Sequence, residues 1–476
     1  MSLSLLQQLQ AGQLTSAYRA SQQLEPITRL DLSAELSEFP MEILALADCL
    51  EVLDLSNNKL SELPADFDRL QNLRILFLTN NLFTHIPAIL AACPNLEMIS
   101  FKSNKVSVVA EDVFPVTTRW LILTDNQIER LPNSMGKLLG LQKLALAGNL
   151  LSDLPRSMKA CKNLELARLS ANKFTRMPDW LFKLPKLAWL AFSGNEFNRV
   201  EEDDQLTNRI LEVPLADIQL GDVLGEGASG LIYQGEWIKQ PESLRGTDKV
   251  VAVKIFKGTV TSDGYAQDEL ECCLNAGEHK TLVKVVAQLD QSHEDRSDAE
   301  KRLGLVMQLI PSHYINLGMP PSLQTCTRDT FKDGTVFDVT TVAKVAVQMA
   351  EVMTHLYACG ISHGDVYAHN TMINKAGDVL FGDFGAATNL ASLVDSQTAL
   401  IERVEVRAFG NLLDDLLNLC VIDYDLEQVE RFENETQLFA LLSDLKERCL
   451  QEEVSQRPDF AEVVTALTVA ASFMMT

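Results

Sequence analysis

Apolar and polar residues alternate with a fixed long period through the first half of the chain. In LDLSNNKLSELP, Leu53 and Leu55 alternate with polar residues, and Asn58 follows them. Alternation of this kind predicts a short strand whose leucines point inward. The pattern recurs at steps of 23 residues, with one step of 22, so that its Asn stands at Asn58, Asn81, Asn104, Asn126, Asn149, Asn172 and Asn195. Such a period predicts a solenoid of stacked coils, each stable only against its neighbours.

The second half of the chain follows a different pattern, which begins with a glycine motif. Gly225, Gly227 and Gly230 form GxGxxG in LGEGASGLIYQGEW, and this motif alone is weakly specific. A dinucleotide-binding turn would lead into a helix, but LIYQGEW is rich in strand-forming residues and is followed by VVAVKIF. We therefore predict a hairpin whose glycines let backbone N–H groups approach phosphates. Strand alternation puts Lys254 of VVAVKIF on the same face as Ala252.

Composition narrows the classes of function. The 476 residues leave room for two or three domains. With 65 acidic and 41 basic residues the chain has a negative net charge, which gives little attraction for nucleic acid or an anionic membrane. The nine cysteines include no CxxC pair, which predicts buried reduced thiols. The N-terminus lacks the basic start and long apolar core of a signal peptide, and no apolar run approaches the ~20 residues of a membrane span. We expect a cytoplasmic protein.

The repeated segment resembles the leucine-rich repeat over residues 27–205, with ITRLDLSAELSEFP as a degenerate first copy. We expect a helical cap over residues 1–26 and a linker over 206–217 after the acidic run that breaks the repeat. One column on the concave face is mostly apolar and runs Val52, Ile75, Met98, Trp120, Lys143, Leu166 and Trp189. Exposed apolar surface often marks a contact site. The column either binds a protein partner or is covered by an adjacent domain, and the sequence leaves both open.

The second half resembles the eukaryotic-like protein kinase family over residues 218–470, and we place the domain at 218–476. GEGASG is similar to the family's glycine loop, VAVK to its strand lysine, HGDVYAHN to its catalytic loop and DFG to its metal-binding motif, all in the family's order. Asn370 and Asp383 are thirteen residues apart, as the family's fold requires. The resemblance implies phosphoryl transfer from ATP to protein hydroxyls.

The same resemblance implies roles for individual residues. Asp365 would orient the acceptor hydroxyl as the base, while Asn370 and Asp383 would hold Mg²⁺ through hard oxygen ligands. Lys254 would bind the α- and β-phosphates and would be steered by a carboxylate from the next helix. In DELECCLNAGEH that carboxylate is Glu269, with Glu271 as the alternative.

The resemblance also implies the groups that bind the nucleotide. Gly225, Gly227 and Gly230 would approach the phosphates. Ala252 would face the nucleotide, Met307 resembles the gatekeeper, and Gln308 to Ile310 resemble the adenine-binding hinge. Cys273 would be a buried spine residue of the domain and not a reactive thiol.

Several positions depart from the family's pattern. Gly364 replaces the Arg of His-Arg-Asp that clamps a phosphorylated activation loop, which argues against switching by such a phosphate. Tyr367 stands where serine/threonine kinases carry a Lys for the γ-phosphate. No APE follows DFG, and we expect Glu402 to replace its Glu by pairing with Arg457. Glu405 stands where the family has an Asp.

These patterns together predict an α/β leucine-rich-repeat solenoid followed by an α+β bilobal protein kinase domain. The predicted function is ATP-dependent and Mg²⁺-dependent phosphorylation of proteins, with serine/threonine ahead of tyrosine as acceptor. The repeats would recruit a protein substrate or partner. Two rival hypotheses remain: a pseudokinase scaffold, favoured by the departures, and a repeat-based binding module in which kinase activity is incidental.

Overall fold

The computed structural model describes residues 2–198, 211–227, 229–257, 261, 263–289, 303–422 and 429–471. The chain divides into two compact units, Met1–Lys186 and Leu187–Thr476.

The first unit begins with two helices, α1 (Ser2–Gln10) and α2 (Ser16–Ser21), within the segment predicted to be a cap. Seven three-residue strands follow, each paired in parallel with the next. They are β1 (Arg29–Asp31), β2 (Val52–Asp54), β3 (Ile75–Phe77), β4 (Met98–Ser100), β5 (Trp120–Ile122), β6 (Lys143–Ala145) and β7 (Leu166–Arg168). The predicted solenoid is confirmed, because the central residue of every strand is buried in the core.

The repeated Asn explains how each coil turns. The side-chain oxygen of Asn58 accepts hydrogen bonds from the N–H groups of Ala34 and Leu36, at 3.0 and 2.9 Å. Its amide nitrogen donates to the carbonyl oxygens of Leu32 and Leu55, at 2.9 and 2.8 Å. One side chain therefore satisfies backbone groups of two successive coils, which a buried turn requires.

The predicted column is in register across the first unit, from Val52 on β2 to Leu166 on β7. Its members differ in exposure. Met98 and Leu166 are buried, and the ammonium of Lys143 lies 4.3 Å from the ring centroid of Trp120. The column is therefore not uniformly exposed apolar surface, and a basic side chain covers one of its two aromatic rings.

The second unit starts with β8 (Trp189–Ala191), which carries the last position of the column. Trp189 is buried. The amide of Asn195 donates to the carbonyl oxygen of Phe192 at 2.8 Å, as in the earlier turns. Most of the acidic run and the first part of the predicted linker lie outside the described residues. The end of that linker contains a strand, β9 (Glu212–Val213), because its residues pair in parallel with the sheet that follows.

That sheet has six strands. Besides β9 they are β10 (Ile218–Glu226), β11 (Gly230–Trp237), β12 (Val250–Phe256), β13 (Val285–Leu289) and β14 (Gly304–Gln308). Their order in the sheet is β10-β11-β12-β14-β13-β9. The glycine motif joins β10 and β11 in an antiparallel hairpin, as predicted, and does not lead into a helix. Helix α3 (Ala266–Ala276) follows β12 and ends at Gly277, which has a φ of 63°.

The remainder of the second unit is mainly helical. Its helices are α4 (Val339–Ala358), α5 (Asp395–Asn418), α6 (Val429–Cys449) and α7 (Phe460–Ala471). Short strands lie between α3 and α5, namely β15 (Ile315–Asn316), β16 (Ile361–Ser362), β17 (Thr371–Ile373), β18 (Val379–Phe381) and β19 (Thr388–Asn389). The predicted order of an α/β solenoid followed by an α+β bilobal domain is confirmed.

Two further sequence expectations concern the whole chain. All nine cysteines are free thiols, and Cys359 is the exposed one. Among the helices that the structure describes, none has the length and apolar character that a bilayer crossing demands.

Candidate active site

Strand β12 and helix α3 bring a lysine and a carboxylate together in the protein interior. The Lys254 ammonium pairs with the Glu269 carboxylate, and it lies 3.8 Å from Oδ1 of Asp383. Glu271, the alternative partner, instead accepts a hydrogen bond from Gln267 at 3.1 Å. Burial alone would lower the pKa of Lys254, but the charges of Glu269 and Asp383 outweigh burial and raise it. The group is therefore a fixed cation beside two carboxylates.

The loop between β16 and β17 carries the predicted base and the first predicted metal ligand. The Asn370 amide nitrogen donates to the backbone oxygen of Asp365 at 3.1 Å and to its Oδ2 at 2.8 Å. Glu405 of helix α5 holds the start of this loop, because its carboxylate accepts from the N–H groups of His363, at 3.2 Å, and Gly364. The Tyr357 hydroxyl donates to the same carboxylate at 2.7 Å. Glu405 thus anchors the loop backbone to a buried helix.

A second buried carboxylate, which the sequence analysis missed, holds the other end of the loop. Asp329 accepts from the N–H groups of Ala368 and His369, at 2.6 and 3.3 Å, and its Oδ1 lies 2.6 Å from His369 Nδ1. Burial alone would lower the pKa of His369, but its hydrogen bond with Asp329 and that residue's charge outweigh burial and raise it. Asp329 lies 39 and 40 positions before Ala368 and His369, in an irregular segment, so no local pattern could have identified it.

The oxygen donors needed for a hard divalent cation are present. Asn370 uses its amide nitrogen on Asp365, which leaves its amide oxygen for another partner. Asp383 has a left-handed backbone, with φ 61° and ψ 81°, and one carboxylate oxygen accepts from the Gly385 N–H at 3.3 Å. No cluster of three or more His, Cys, Asp or Glu side chains in the described residues could hold a metal ion. Two protein oxygens suit Mg²⁺, which usually completes its shell with phosphate oxygens and water.

A cavity of about 270 Å³ lies between the six-stranded sheet and the loop. Most of the predicted site residues line it, namely Gly227, Gly230, Lys254, Glu269, Met307, Ile310, Asn370 and Asp383. Cys273 lines it too, and burial raises its pKa well above the ordinary value, which fits an inert packing thiol. Gly225, Ala252, Gln308 and Asp365 are not among its lining residues, although Gln308 lines a neighbouring depression.

Two glycines of the hairpin differ in their surroundings. A Cβ atom added to Gly227 would meet no protein atom within 4 Å, so this position borders open space at the cavity. A Cβ atom added to Gly230 would lie 2.6 Å from the carbonyl oxygen of Ile255. Gly227 therefore leaves room for a ligand, whereas Gly230 permits close packing of two strands.

The structure gives physical reasons for two departures from the kinase pattern. Gly364 has a φ of 73°, and an added Cβ would lie 2.5 Å from the carbonyl oxygen of Ala386 and 2.9 Å from that of Leu190. An Arg cannot occupy this position without moving the backbone. Tyr367 is buried and stacks on Trp189, with ring centroids 4.5 Å apart and an interplanar angle of 4°.

The predicted ion pair between Glu402 and Arg457 is wrong. Arg457 donates to the carbonyl oxygens of Arg403 and Gln451, at 3.0 and 2.8 Å. Glu402 accepts from the N–H of Phe460, the first residue of α7, at 3.0 Å. Glu402 therefore satisfies a backbone N–H group at the start of α7, where helix geometry leaves such groups unpaired, while Arg457 binds backbone oxygens.

Comparison with known protein families identifies the kind of domain that contains this site. Residues 218–408 match the family model described as protein tyrosine and serine/threonine kinase. These residues form a protein kinase domain. Residues 49–70 match the leucine-rich repeat model, so a repeat region precedes the kinase domain. The resemblance stated from the sequence is confirmed on both counts.

Similar curated proteins cover the kinase domain. This chain is 25% identical over 186 residues to a probable LIM domain-containing serine/threonine-protein kinase of Dictyostelium discoideum, which covers 38% of this chain and 24% of that protein. It is 24% identical over 195 residues to fibroblast growth factor receptor homolog 2 of Drosophila melanogaster, covering 38% of this chain and 18% of that protein. The matched region thus spans about a quarter or less of these relatives.

Proposed function

We propose that this chain is an ATP-dependent protein kinase that transfers the γ-phosphate of Mg-ATP to a hydroxyl group of a protein. The observation that carries the proposal is the grouping of Lys254, Glu269 and Asp383 around one cavity, with Asp365 and Asn370 joined beside it. Phosphoryl transfer depends chiefly on positioned charge and on metal ions that neutralise the phosphate oxygens. The retained charges favour activity over a pseudokinase scaffold.

Each residue has a proposed part in the reaction. Lys254, held by Glu269, binds the α- and β-phosphates. Asn370 and Asp383 would hold Mg²⁺, which when bound supplies positive charge against the phosphate oxygens. Asp365 orients the acceptor hydroxyl and receives its proton. The amide of Asn370 keeps the Asp365 carboxylate in place through the hydrogen bond at 2.8 Å.

We propose serine or threonine as the acceptor. The support is that two relatives are named as serine/threonine kinases, namely a probable LIM domain-containing serine/threonine-protein kinase of Dictyostelium discoideum and serine/threonine-protein kinase 1 of Arabidopsis thaliana. The matched family model covers tyrosine kinases as well, and Tyr367 replaces the usual Lys. Phosphoamino acid mapping distinguishes the two acceptors.

Autophosphorylation with labelled ATP, mapped by mass spectrometry, tests the function directly. We expect Mg²⁺-dependent labelling of serine or threonine in the wild-type chain and about 10²–10⁴-fold slower labelling in Asp365→Asn. Labelling confined to tyrosine would overturn the acceptor assignment. Binding of Mg-ATP without any transfer, to the chain itself or to a panel of peptides, would favour the scaffold hypothesis.

The repeats are proposed to recruit a protein partner or substrate. We also propose a cytoplasmic location, because reduced thiols persist there and the chain has nine free cysteines. Within the column, Trp189 is not available to a partner because it is buried against the kinase domain. The proposed partner surface is therefore the half-buried part of the column, Val52, Ile75 and Trp120. Trp120→Ala should weaken capture of a physiological substrate without changing activity on short peptides.

A further inference from the structure

The last strand of the repeat pattern packs directly on the catalytic loop of the kinase domain. We name residues 187–198, which include β8 and Asn195, the terminal repeat segment. The indole Nε1 of Trp189 donates to the carbonyl oxygen of Val366 at 3.0 Å. Its ring lies flat on that of Tyr367, as described above. A hydrogen bond and a stacked aromatic pair therefore fix two consecutive residues next to Asp365.

The same segment fills the space that the missing Arg side chain would need. The carbonyl oxygen of Leu190 and that of Ala386 converge on Gly364, where even a Cβ atom would be too close. The N–H of Phe192 donates to the hydroxyl of Thr388 at 3.3 Å, and Thr388 is completely buried. The segment thus contacts both the catalytic loop and the residues that follow DFG.

A third contact reaches helix α3, which carries Glu269. Gly194 has a φ of 66°, and an added Cβ would lie 2.4 Å from the Tyr265 ring and 2.6 Å from the Asp268 carboxylate. Tyr265 is the N-cap residue, immediately before α3. Close backbone approach at this point restricts the position of the helix.

From these contacts we infer that the terminal repeat segment is a clamp that positions the catalytic loop, the residues after DFG and helix α3. Trp189 and Tyr367 are its main positioning residues. Alignment of Asp365 and Glu269 then depends on this segment in place of a phosphate in the activation segment. The inference rests on the proposed kinase function and adds its mode of control.

The alignment of the site favours a positioning role over an inhibitory one. With the segment in contact, Lys254 is paired with Glu269 and lies 3.8 Å from Asp383. The hydrogen bond between Asn370 and Asp365 is formed at the same time. An inhibitory segment would be expected to separate at least one of these pairs, because phosphoryl transfer needs all of them in place.

The test compares Trp189→Ala, Trp189→Phe and Trp180→Ala in the full chain. Trp180 is a half-buried tryptophan of the first unit and lies outside the column, so it is the control for the loss of an indole ring. We expect Trp189→Ala to speed amide hydrogen exchange in residues 363–371 and at the start of α3. It should lower kcat by about tenfold to a hundredfold, as misplacement of a catalytic group does, with little change in the KM for ATP. Trp189→Phe keeps the stacking and should recover much of kcat, while Trp180→Ala should match wild type.

Each outcome of this test supports or overturns the inferred clamp. Exchange in residues 363–371 that is equal in Trp189→Ala and Trp180→Ala overturns it, and so does a rise in kcat, which would indicate an inhibitory contact. If Trp189→Ala does not fold, Tyr367→Leu removes the other ring and takes its place. If the wild type shows no phosphotransfer, the proposed function fails, while the exchange comparison still supports or overturns the clamp.

Discussion

Lys254 and Glu269 form an ion pair with 9% and 3% of their side chains exposed. The pair joins β12 to α3, and Asp383 adds a second negative charge close to the ammonium. Because both members are buried, each depends on the other for compensation of its charge.

Removal of one member should therefore affect stability as well as catalysis. We predict that Glu269→Ala lowers the free energy of unfolding by about 3–5 kcal/mol, the usual result of leaving a buried charge unpaired. Lys254→Met should lose most phosphotransfer, since the phosphates lose their cation. Urea denaturation and labelled ATP measure the two effects. Glu271→Ala is the control, because Glu271 pairs with Gln267 near the surface. Equal effects of the two Glu variants would contradict the assignment.

Asp365→Asn isolates the proposed base. The new amide oxygen can still accept from Asn370, whose hydrogen bond to Asp365 Oδ2 is 2.8 Å long, so we expect a folded protein. Phosphotransfer should fall by about 10²–10⁴-fold, the range for loss of a general base. Binding of a fluorescent ATP analogue should remain. A variant with near-normal turnover would exclude Asp365 as the base.

The two hairpin glycines should respond differently to Val. Gly227→Val adds atoms only to open space, so we predict unchanged stability but weaker nucleotide binding. Gly230→Val forces atoms against the backbone of Ile255, and we predict destabilisation of about 1–3 kcal/mol. Thermal unfolding with and without Mg-ATP separates the effects. The cavity would be misassigned if Gly227→Val kept full stabilisation by Mg-ATP.

Asp329 should be a structural support of the loop. Asp329→Ala leaves the N–H groups of Ala368 and His369 without their acceptor. A buried polar group without a hydrogen bond costs about 1–3 kcal/mol of stability. We predict lower stability and lower kcat, measured by denaturation and by peptide phosphorylation. Asp333→Ala changes an exposed carboxylate nearby and is the control. Similar behaviour of both variants would remove Asp329 from the site.

The cysteines should differ sharply in reactivity. We predict that a maleimide labels Cys359 first, because it is the exposed thiol. Partial burial of its sulfur raises the pKa of Cys359. Its labelling should therefore accelerate as the pH rises and the thiolate forms. Burial raises the pKa of Cys161 to about 11, and this thiol should react only after unfolding. Peptide mapping before and after denaturation measures both, and rapid labelling of Cys161 in the folded chain would contradict the core packing.

The sequence predicted features that depend on local spacing. The Asn period, the glycine motif leading into a strand, VAVK and DFG each lie within a short stretch, so their residue types indicate their structure directly. Lys254 and Asp365 could be singled out on this basis. The choice between Glu269 and Glu271 stayed open because a helix presents both near the same turn, and only the packing of α3 selects one.

Residue patterns along the chain were enough to predict that a repeat solenoid precedes a kinase domain, and which motifs carry its charges. Only the folded chain shows what lies against those motifs. Val366 and Trp189 are 177 positions apart and share a hydrogen bond, a relation that no periodicity encodes. Compared with the family pattern, Gly364 and Tyr367 look like the loss of a functional Arg and Lys, because a motif shows only neighbours along the chain. In the folded chain both positions contact the terminal repeat segment, since close packing in three dimensions limits the side chain that each can carry.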